Sequence, residues 1–499
     1  MPGSRSSDAK ASTSAADGVL VHAASFSLVP FVRSAGILSI SSVANLVRAI
    51  VTAKVLAVAL GPAQVGVVSQ LFNFSALLSV VLPLGLTTGV AKMVAEAYLD
   101  NRRVNLVAAS STLIAVCAGI VGALLVAPIA PTVSSLLTGS PRYAFAIVLM
   151  VGSFPLSNVA GVLSYILQGL ADIRLLTWAN VATSLLSLIV LVPATILYGL
   201  NGAAASVLVT SCLQVVIFIA AIARSYRIRR WRIDGARFST AVSRELFGYG
   251  GVMLVGGIGM YASLLAVRTF AIRDLGDSAN GLYQVIYGLS SQYMTIFMTW
   301  MAAYVFPRIA AEADHSRLRS LLNSALRANL LLMVPGLVAV TALRVPLVHI
   351  FYSSEFVRAA DYIPVQALGD YAKVIGWSFG ISLFARGHKG GHLVAIIAQS
   401  AAWVLLSWLA LPSFGLGAIS FGYALSYVTW PILMYWMARR WLEVRIDPEE
   451  MLMIWLGLAC ILTAALVPGL LGLMVAPILP LVIYSRRHRR TAALSNSVE

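Results

Sequence analysis

Long apolar runs follow one another through almost the whole chain, and most are near the ~20 residues that cross a bilayer as a helix. With 59% hydrophobic residues, 11% charged residues and a mean hydropathy of +0.88, the 499-residue chain is too apolar for a soluble domain. We therefore predict an all-α polytopic membrane protein with about 14 transmembrane helices. The runs lie at residues 35–60, 65–97, 105–128, 143–170, 174–198, 201–223, 250–272, 282–306, 329–343, 363–385, 392–411, 417–437, 451–467 and 469–484.

The lysines and arginines between the runs predict the orientation of the chain. If the helices alternate from a cytoplasmic N-terminus, 24 of the 35 basic residues fall on the cytoplasmic side and four fall on the other side. This asymmetry across short loops is typical of the positive-inside rule. The same rule favours two short helices over residues 451–484, because a hairpin turning at Pro468-Gly469 leaves both flanking basic clusters on one side. Both termini are therefore expected in the cytoplasm.

Composition and motifs argue against several other classes of protein. The net charge of +16 lies in short clusters between apolar runs, not on one face with interleaved aromatics, so we expect no nucleic-acid partner. Cys117, Cys212 and Cys460 lie in apolar segments without a CxxC or Cys/His cluster, so neither disulfides nor a metal site is indicated. The sequence contains no GxxxxGK[ST], GxSxG or HExxH motif. We expect no cofactor and no enzyme activity.

An internal repeat predicts the architecture. Leu60-Gly61 and Gly66 recur as Leu275-Gly276 and Gly281, offset by 215 residues, and KMVAEA at 92–97 recurs as RIAAEA at 308–313, offset by 216. The segment YGLNGAA is answered by FGLGA at nearly the same offset. Because an even number of helices, six, separates matching points, the halves are expected to be parallel repeats about an axis along the membrane normal. We predict two pseudo-symmetric six-helix lobes and a C-terminal two-helix hairpin.

The repeat and the composition together divide the chain into six segments. These are a disordered cytoplasmic tail over residues 1–33, a first lobe of helices 1–6 over 34–223, a basic cytoplasmic linker over 224–249, a second lobe of helices 7–12 over 250–440, a helical hairpin over 441–485 and a basic cytoplasmic tail over 486–499. The arginines of the linker could also contact anionic lipid.

Cations inside the apolar runs are candidates for a binding site. Each costs about 2.5–3.5 kcal/mol on insertion scales, so it usually faces a bundle interior or a wet cavity. Arg48 and Lys54 lie in the first run and Arg268 in the seventh. Arginine offers a planar fork and lysine a compact charge to a phosphate group. We predict a central cavity in which these three cations bind an anion, although Lys54 and Arg268 are also close enough to the outer helix ends to extend to the membrane surface.

Three pairs of opposite charge have helical spacing. Asp370 and Lys373, in LGDYAKVIGWSFG, are i,i+3 neighbours inside the tenth run. They could neutralise each other, separate when substrate arrives, or let Asp370 exchange a proton. The other two pairs are i,i+4 neighbours at the inner ends of the second and eighth runs, Lys92 with Glu96 and Arg308 with Glu312. We expect these to cap and orient the helix ends, and the alternative is a cytoplasmic gate.

Uncharged polar residues within the runs could line a wet cavity and bind sugar hydroxyl groups, or could only hold helices together. They are Asn45, Gln70, Asn73, Gln168, Gln284, Gln292, Gln399, Tyr261, Tyr283, Tyr287 and Tyr293. Gly256-Gly257 and Pro335-Gly336 could permit the bending that a transport cycle needs, and are equally consistent with close helix packing.

Several segments between residues 35 and 440 resemble a known family. They are VTAKVLAVALGPAQVGVVSQ, LGLTTGVAKMVAEA, AYVFPRIAAEAD, FYSSEFVRAADYI and especially LGDYAKVIGWSFG. These resemble the Wzx-type flippases for O-antigen and enterobacterial common antigen, which belong to the multidrug/oligosaccharidyl-lipid/polysaccharide exporter superfamily. The family's cationic positions are matched here by Lys54, Lys92, Arg268 and the Asp370/Lys373 pair.

The resemblance implies two lobes around a cationic cavity that binds the pyrophosphate of an undecaprenyl-linked oligosaccharide, with Lys373 as a further ligand. Such a protein moves its substrate by alternating access from the cytoplasmic to the outer leaflet of a bacterial inner membrane, for surface polysaccharide biosynthesis. It is expected to act as a monomer without a cofactor. Its expected partners are the lipid-linked substrate, membrane lipids and the glycosyltransferases and polymerase of the same pathway.

Two alternative functions stay open. A multidrug antiporter of the same superfamily would favour carboxylates in its cavity, whereas the buried excess here is cationic. A membrane-embedded polysaccharide polymerase or ligase, which is an enzyme, would need a large outer loop for its active site. The longest outer connection here, residues 344–362, has 19 residues. The lipid-linked oligosaccharide flippase is therefore the preferred interpretation.

Overall fold

The computed structural model describes residues 28–82, 86–97, 100–225, 238–312 and 314–478. Within these ranges the chain forms helices joined by short turns and contains no β-strand. The α-helices are α1 Leu28–Val81, α2 Leu86–Glu96, α3 Asn101–Val126, α4 Ala130–Thr138, α5 Ala144–Gly152, α6 Phe154–Gly169, α7 Ile173–Arg224, α8 Thr240–Leu275, α9 Asp277–Trp300, α10 Phe306–Ala311, α11 His315–Ala342, α12 Arg344–Phe351, α13 Ile363–Ala385, α14 Lys389–Phe414, α15 Gly417–Leu442, α16 Pro448–Leu466 and α17 Leu470–Leu473. Eight segments of the described chain are long and apolar enough to cross a membrane, in agreement with the predicted polytopic fold.

Two of the helices, α1 with 54 residues and α7 with 52, are far longer than one membrane span. Each consists of two helices joined at a glycine with positive φ, Gly61 at 71° and Gly199 at 57°. Gly276 at 87° and Gly415 at 50° end α8 and α14. Glycine suits all four positions because it has no Cβ to clash in this backbone region. The four glycines keep the 215- and 216-residue offsets of the sequence repeat, and we call the side of the protein where they lie the glycine-turn end.

Thirteen of the fourteen predicted runs have a helical counterpart among the described residues. The fourteenth, predicted over 469–484, is represented there by α17 alone. The predicted tails and the middle of the predicted linker fall at residues 1–27, 226–237 and 479–499, which lie outside the described residues. α1 begins at Leu28, within the segment predicted as a tail, and α8 begins at Thr240, within the segment predicted as a linker.

The ninth run is longer than predicted, since α11 starts at His315 and not at residue 329. Asp314 caps this start, with its carboxylate accepting a hydrogen bond of 2.8 Å from the backbone N–H of Ser316. Hydrogen bonds from the Ser316 side chain and backbone hold the pKa of Asp314 below its usual value. The prediction failed because arginines such as Arg319 and Arg327 interrupt the apolar pattern in the first half of the helix.

Charged contacts fix α16 against α11 at one end and against the start of α12 at the other. Arg327 pairs with Glu450, whose carboxylate is buried, and with Glu449 at 3.3 Å. At the glycine-turn end, Arg344 donates to two carbonyl oxygens in the last turn of α16, at 3.3 and 3.5 Å. These carbonyls lack partners within the helix and form its negative end, so a cation is favourable there. α16 is therefore packed as a part of the second half of the chain.

We expect Glu450→Gln to lower the free energy of unfolding by about 1–3 kcal/mol, because it leaves Arg327 without its buried partner. The expected loss of unfolding free energy is smaller than for a fully buried ion pair, because the Arg327 side chain is 32% exposed. Glu449→Gln is the matched control, because Glu449 is 28% exposed and lies farther from the guanidinium. Thermal unfolding of the purified protein in detergent measures the difference. Equal melting temperatures for the two variants would contradict this account of α16.

Candidate functional site

A buried arginine on α8 lies where the two halves of the chain meet. Only 1% of Arg268 is exposed, and one of its guanidinium nitrogens, Nη2, donates to Oε1 of Gln284 on α9 at 2.6 Å. The guanidinium carbon lies 5.4 Å from the ring centre of Tyr283 and 5.2 Å from that of Tyr287. The other two nitrogens, Nε and Nη1, are buried and have no hydrogen-bond partner among the described residues. Arg268 therefore retains donors for a further group.

Arg268 lines a cavity of about 290 Å³ between the two halves. The first half contributes a mainly apolar wall from α1 that includes Phe72 and Asn73, and the second half contributes polar side chains such as Gln284 and Tyr352. None of the described residues that line the cavity carries a carboxylate. A buried guanidinium stays charged and is costly without a counter-charge. The cavity is therefore suited to an anion, which the free donors of Arg268 could bind through charge-assisted hydrogen bonds.

At the glycine-turn end the cavity is closed by direct backbone contact between the halves. A Cβ on Gly66 would overlap the carbonyl oxygen of Asp277, and a Cβ on Gly281 would overlap that of Pro62. Between them, Nδ2 of Asn280 donates to the carbonyl of Gly66 at 2.7 Å. Because only glycine lets the backbones approach this closely, the repeated Gly66/Gly281 match predicted from the sequence corresponds to the contact that joins the halves.

Lys54 does not line the Arg268 cavity. Its ammonium group donates to the carbonyl of His349 at 2.9 Å and to that of Tyr352 at 2.5 Å, both at the C-terminus of α12. Such carbonyls lack partners within the helix and attract a cation. Lys54 therefore joins the first half to the second half at the glycine-turn end, although the sequence analysis placed it with Arg268 as a ligand.

Arg48 is also separate from Arg268. Its side chain is half-buried, and it lines neither of the cavities described for this chain. Asn45, one turn earlier, accepts a hydrogen bond of 3.0 Å from Ser184 and so packs α1 against α7. The structure thus brings only one of the three predicted helix cations, Arg268, into the cavity between the halves.

Asp370 and Lys373, for which a mutual ion pair was one of the alternatives, do not contact each other directly in the described structure. Asp370 is fully buried and accepts hydrogen bonds from the hydroxyl groups of Ser290 at 2.6 Å, Tyr423 at 2.7 Å and Tyr293. The ammonium group of Lys373 lies 3.5 Å from the Tyr423 hydroxyl, which therefore connects the two charges. No lysine–carboxylate contact within 4.0 Å joins them in the described structure, because hydroxyl groups from neighbouring helices occupy the carboxylate. Lys373 instead lines a second cavity, in the second half of the chain.

Of the two ion pairs predicted at the inner helix ends, one is present in the described structure and the other is not. Lys92 and Glu96 form the predicted i,i+4 pair at 3.6 Å, with both side chains about half exposed. Arg308 lies over the ring of Tyr304 at 3.5 Å, and no ion pair joins it to Glu312 in the part of the chain that the structure describes. The prediction failed here because α10 ends at Ala311, which leaves Glu312 outside the helix.

Some of the uncharged polar residues hold helices together. Gln70 donates to the carbonyl of Leu265 at 3.1 Å and to the hydroxyl of Thr269 at 2.9 Å, and Gln399 donates to Ser426 at 3.2 Å. Others, among them Asn73, Tyr261, Gln284 and Tyr287, line the Arg268 cavity as predicted for a polar lining. The sequence analysis missed Tyr352, Ser290 and Tyr423. Tyr352 stands in the FYSSEFVRAADYI segment, whereas no pattern marks the other two.

Residues 31–312 match the family model for polysaccharide biosynthesis proteins, and these 282 residues are more than half of the chain. The chain belongs to this family. It is similar to the Lipid III flippase of Escherichia coli (strain K12), with 21% identity over 406 residues, which cover 78% of this chain and 94% of the relative. The same figures hold for the Lipid III flippase of Shigella flexneri.

Two solved structures show the same fold. One is the inward-facing conformation of a multidrug resistance MATE family transporter of the MOP superfamily, with a TM-score of 0.69 and 14% identity, covering 81% of this chain and 98% of that chain. The other is the lipid II flippase MurJ in an inward closed conformation, with a TM-score of 0.66 and 13% identity, covering 92% of this chain and 100% of that chain. The predicted all-α polytopic membrane fold is thereby confirmed.

We expect Gly66→Ala to destabilise the closed arrangement by about 1–3 kcal/mol, the usual cost of forcing a methyl group into a packed contact. The added Cβ would overlap the carbonyl of Asp277, so the two halves would have to move apart. Gly336→Ala on α11 is the control, because its Cβ would have no other atom within 4 Å. The melting temperature in detergent should fall for Gly66→Ala alone. A fall of the same size for Gly336→Ala would remove the argument for the interface.

Proposed function

We propose that this protein is a flippase that moves an undecaprenyl-pyrophosphate-linked oligosaccharide from the cytoplasmic to the outer leaflet of a bacterial inner membrane. The observation that carries the proposal is the buried Arg268, which lines a cavity between the halves and has two nitrogens without a hydrogen-bond partner among the described residues. A pyrophosphate supplies two adjacent groups of acceptor oxygens for the guanidinium fork. The name of the Escherichia coli relative, Lipid III flippase, supports the same class of substrate.

A cavity between two halves is suited to moving a charged, sugar-bearing head group across a bilayer. A pyrophosphate with attached sugars cannot cross hydrocarbon, because its charges and hydroxyl groups would lose their hydration. The polyprenyl tail is apolar and can stay in the bilayer throughout. A cavity between two halves that rock against each other would expose the head group first to one side and then to the other. The driving force would have to be the membrane potential or an ion gradient.

The distribution of arginines predicts how the protein is oriented in the membrane. The basic connections lie at the end of the protein opposite the glycine turns, so by the positive-inside rule the glycine-turn end faces outward. The described conformation, closed at this end by Gly66 and Gly281, is then closed to the outside. The substrate would enter from the cytoplasmic side, where Lys92, Glu96, Arg308 and Glu312 lie. Both termini would be cytoplasmic, as the sequence analysis expects.

We assign separate roles to the predicted site residues. Arg268 binds the pyrophosphate, Lys54 holds the outward side closed, and Arg48 and Lys373 attract the substrate's charge along its path. Asp370 is the candidate for coupling to an ion, because it is the carboxylate linked through Tyr423 to Lys373.

The protein would act as a monomer beside the glycosyltransferases and polymerase of its pathway, without a cofactor. A multidrug antiporter fits less well, since no carboxylate of the described chain lines the Arg268 cavity.

Arg268→Ala should lower export at least tenfold while leaving the amount of protein in the membrane near normal, because the variant removes the anion ligand from a cavity. Arg268→Lys should retain part of the activity, since the charge survives but the two-pronged geometry does not. The measurement is the accumulation of lipid-linked oligosaccharide on the cytoplasmic leaflet, alongside quantified membrane protein.

Arg273→Ala is the matched control for this experiment. Arg273 lies on the same helix, is exposed, and donates to the carbonyl of Leu136 at 3.1 Å. Export should therefore stay near normal in this variant. Normal export by Arg268→Ala, or an equal loss in both variants, would rule out substrate binding by Arg268.

Lys54→Met should shift the protein toward a conformation open at the glycine-turn end. The variant removes two hydrogen bonds between the halves, which at a half-buried site are together worth about 1 kcal/mol, or a roughly fivefold change in population. A cysteine at Asn73, which lines the Arg268 cavity, reports on this opening when Cys117, Cys212 and Cys460 are replaced by Ser.

The rate of modification of that cysteine by a membrane-impermeant thiol reagent, added outside intact cells, should rise with Lys54→Met. Lys92→Met is the control, because Lys92 lies at the opposite end of the protein. Unchanged modification in the Lys54 variant would show that Lys54 does not hold this end closed.

A further inference from the structure

The second half of the chain contains another cavity, of about 300 Å³, which we call the Lys373 cavity. Its walls come from α8, α9, α13, α14 and α15. Besides Lys373, the lining includes the aromatic rings of Trp377, Tyr427 and Trp430 and the imidazole of His392. None of these aromatic residues or the histidine was singled out by the sequence analysis, and the proposed function has no task for them yet.

The rings form a continuous surface. Trp377 and Trp430 have ring centres 6.3 Å apart, and Tyr427 lies 6.4 Å from Trp430. A Cβ on Gly376 would overlap the indole of Trp430, so that indole lies directly on the backbone of α13. The ammonium group of Lys373 is 5.1 Å from the ring centre of Tyr427, which adds a cation–π contact. The aromatic wall is therefore held in place by its own packing.

Two residues that line this cavity each carry a polar group without a partner. The indole N–H of Trp430 and Nδ1 of His392 are both buried, and neither has a hydrogen-bond partner among the described residues. The two side chains are 3% and 4% exposed. Leaving a buried polar group unpaired costs about 1–3 kcal/mol, so each such group calls for an explanation, and a bound molecule is one. The cavity thus combines aromatic faces with unused hydrogen-bonding groups.

The Lys373 cavity adjoins the Arg268 cavity. On α8, Met260 lines the Lys373 cavity and the next residue, Tyr261, lines the Arg268 cavity, as does Tyr287 on α9. The Tyr287 ring lies 5.2 Å from the Arg268 guanidinium. A molecule whose phosphate groups lie at Arg268 would therefore have the neighbouring Lys373 cavity available for its next chemical group.

We propose that the Lys373 cavity binds the sugar residue attached directly to the pyrophosphate. This inference rests on the proposed function and adds to it the part of the site that recognises sugar. A sugar ring has an apolar C–H face that can lie on an indole and a rim of hydroxyl groups that can pair with Trp430 and His392. The volume lies at the lower end of the usual range for ligand pockets, about 300–1,000 Å³, which suits one sugar residue and not a whole oligosaccharide.

Two other occupants fit this cavity less well. A polyprenyl chain would leave the N–H of Trp430 and the ring nitrogen of His392 unpaired, and it can remain in the bilayer. An organic cation would be repelled by Lys373, because no described residue lining the cavity carries a carboxylate. The cavity is therefore assigned to a neutral, hydroxyl-bearing group next to an anion.

The test compares three lipids for binding to the purified full-length protein in detergent by native mass spectrometry. They are undecaprenyl diphosphate, the same lipid carrying one N-acetylglucosamine, and the same lipid carrying one galactose. At least one glycosylated lipid should bind about tenfold more tightly than undecaprenyl diphosphate. Trp377→Leu should reduce this advantage to less than twofold while leaving the affinity for undecaprenyl diphosphate unchanged. Trp430→Phe, which keeps a ring but removes the N–H, should reduce the advantage in part.

Trp436→Leu is the matched control, because Trp436 lies on α15 with Trp430 but is 59% exposed. It should bind all three lipids as the unaltered protein does. Equal binding of glycosylated and bare lipid by the unaltered protein would overturn the sugar subsite, as would an equal loss of all three lipids in Trp377→Leu. Failure of the proposed function looks different, since then no lipid binds, or Arg268→Ala binds all three unchanged.

Discussion

The rest of the structure depends on the burial of one guanidinium group within a membrane protein. Arg268 cannot lose its proton, so its charge must be compensated wherever it lies. Here the compensation is partial, because Gln284 accepts one hydrogen bond and the faces of Tyr283 and Tyr287 lie nearby. The two halves enclose this group by the closest backbone approach that glycine permits. The incomplete compensation distinguishes Arg268 from a cation that serves packing alone.

The other buried charges show what complete compensation looks like in the same protein. Asp370 accepts hydrogen bonds from three hydroxyl groups, and Arg327 is paired with two glutamates. In this conformation the charges of Asp370 and Arg327 are already balanced by these partners, so neither requires a ligand. Buried ionic groups in membranes are usually taken as functional, but the inference is sharper where the hydrogen-bonding capacity is unused. By this criterion Arg268 is a better candidate for binding a ligand than Asp370 or Arg327.

Sequence could predict the features that depend on local pattern. Apolar runs predicted the helices, and the repeated glycines marked equivalent positions in the two halves, at which the structure has turns and the Gly66/Gly281 contact. It could not predict features set by residues distant in sequence. The start of α11 was missed because its arginines find acidic partners more than 120 residues later, as Arg327 does in Glu450. Helical spacing also suggested that Asp370 would pair with Lys373, whereas hydroxyl groups from α9 and α15 were already in place. A backbone carbonyl as the partner of Lys54 leaves no signature in the sequence.

Tyr352 connects the closed end of the protein with the cavity. Its backbone carbonyl accepts the Lys54 ammonium group, and its side chain lines the cavity that contains Arg268. Its hydroxyl lies against Gly288 on α9, where a Cβ would overlap it. A separation of the halves that pulls Lys54 away from α12 would release a residue that forms part of the cavity wall. Because one residue takes part in both contacts, opening of the glycine-turn end and the shape of the Arg268 cavity cannot vary independently.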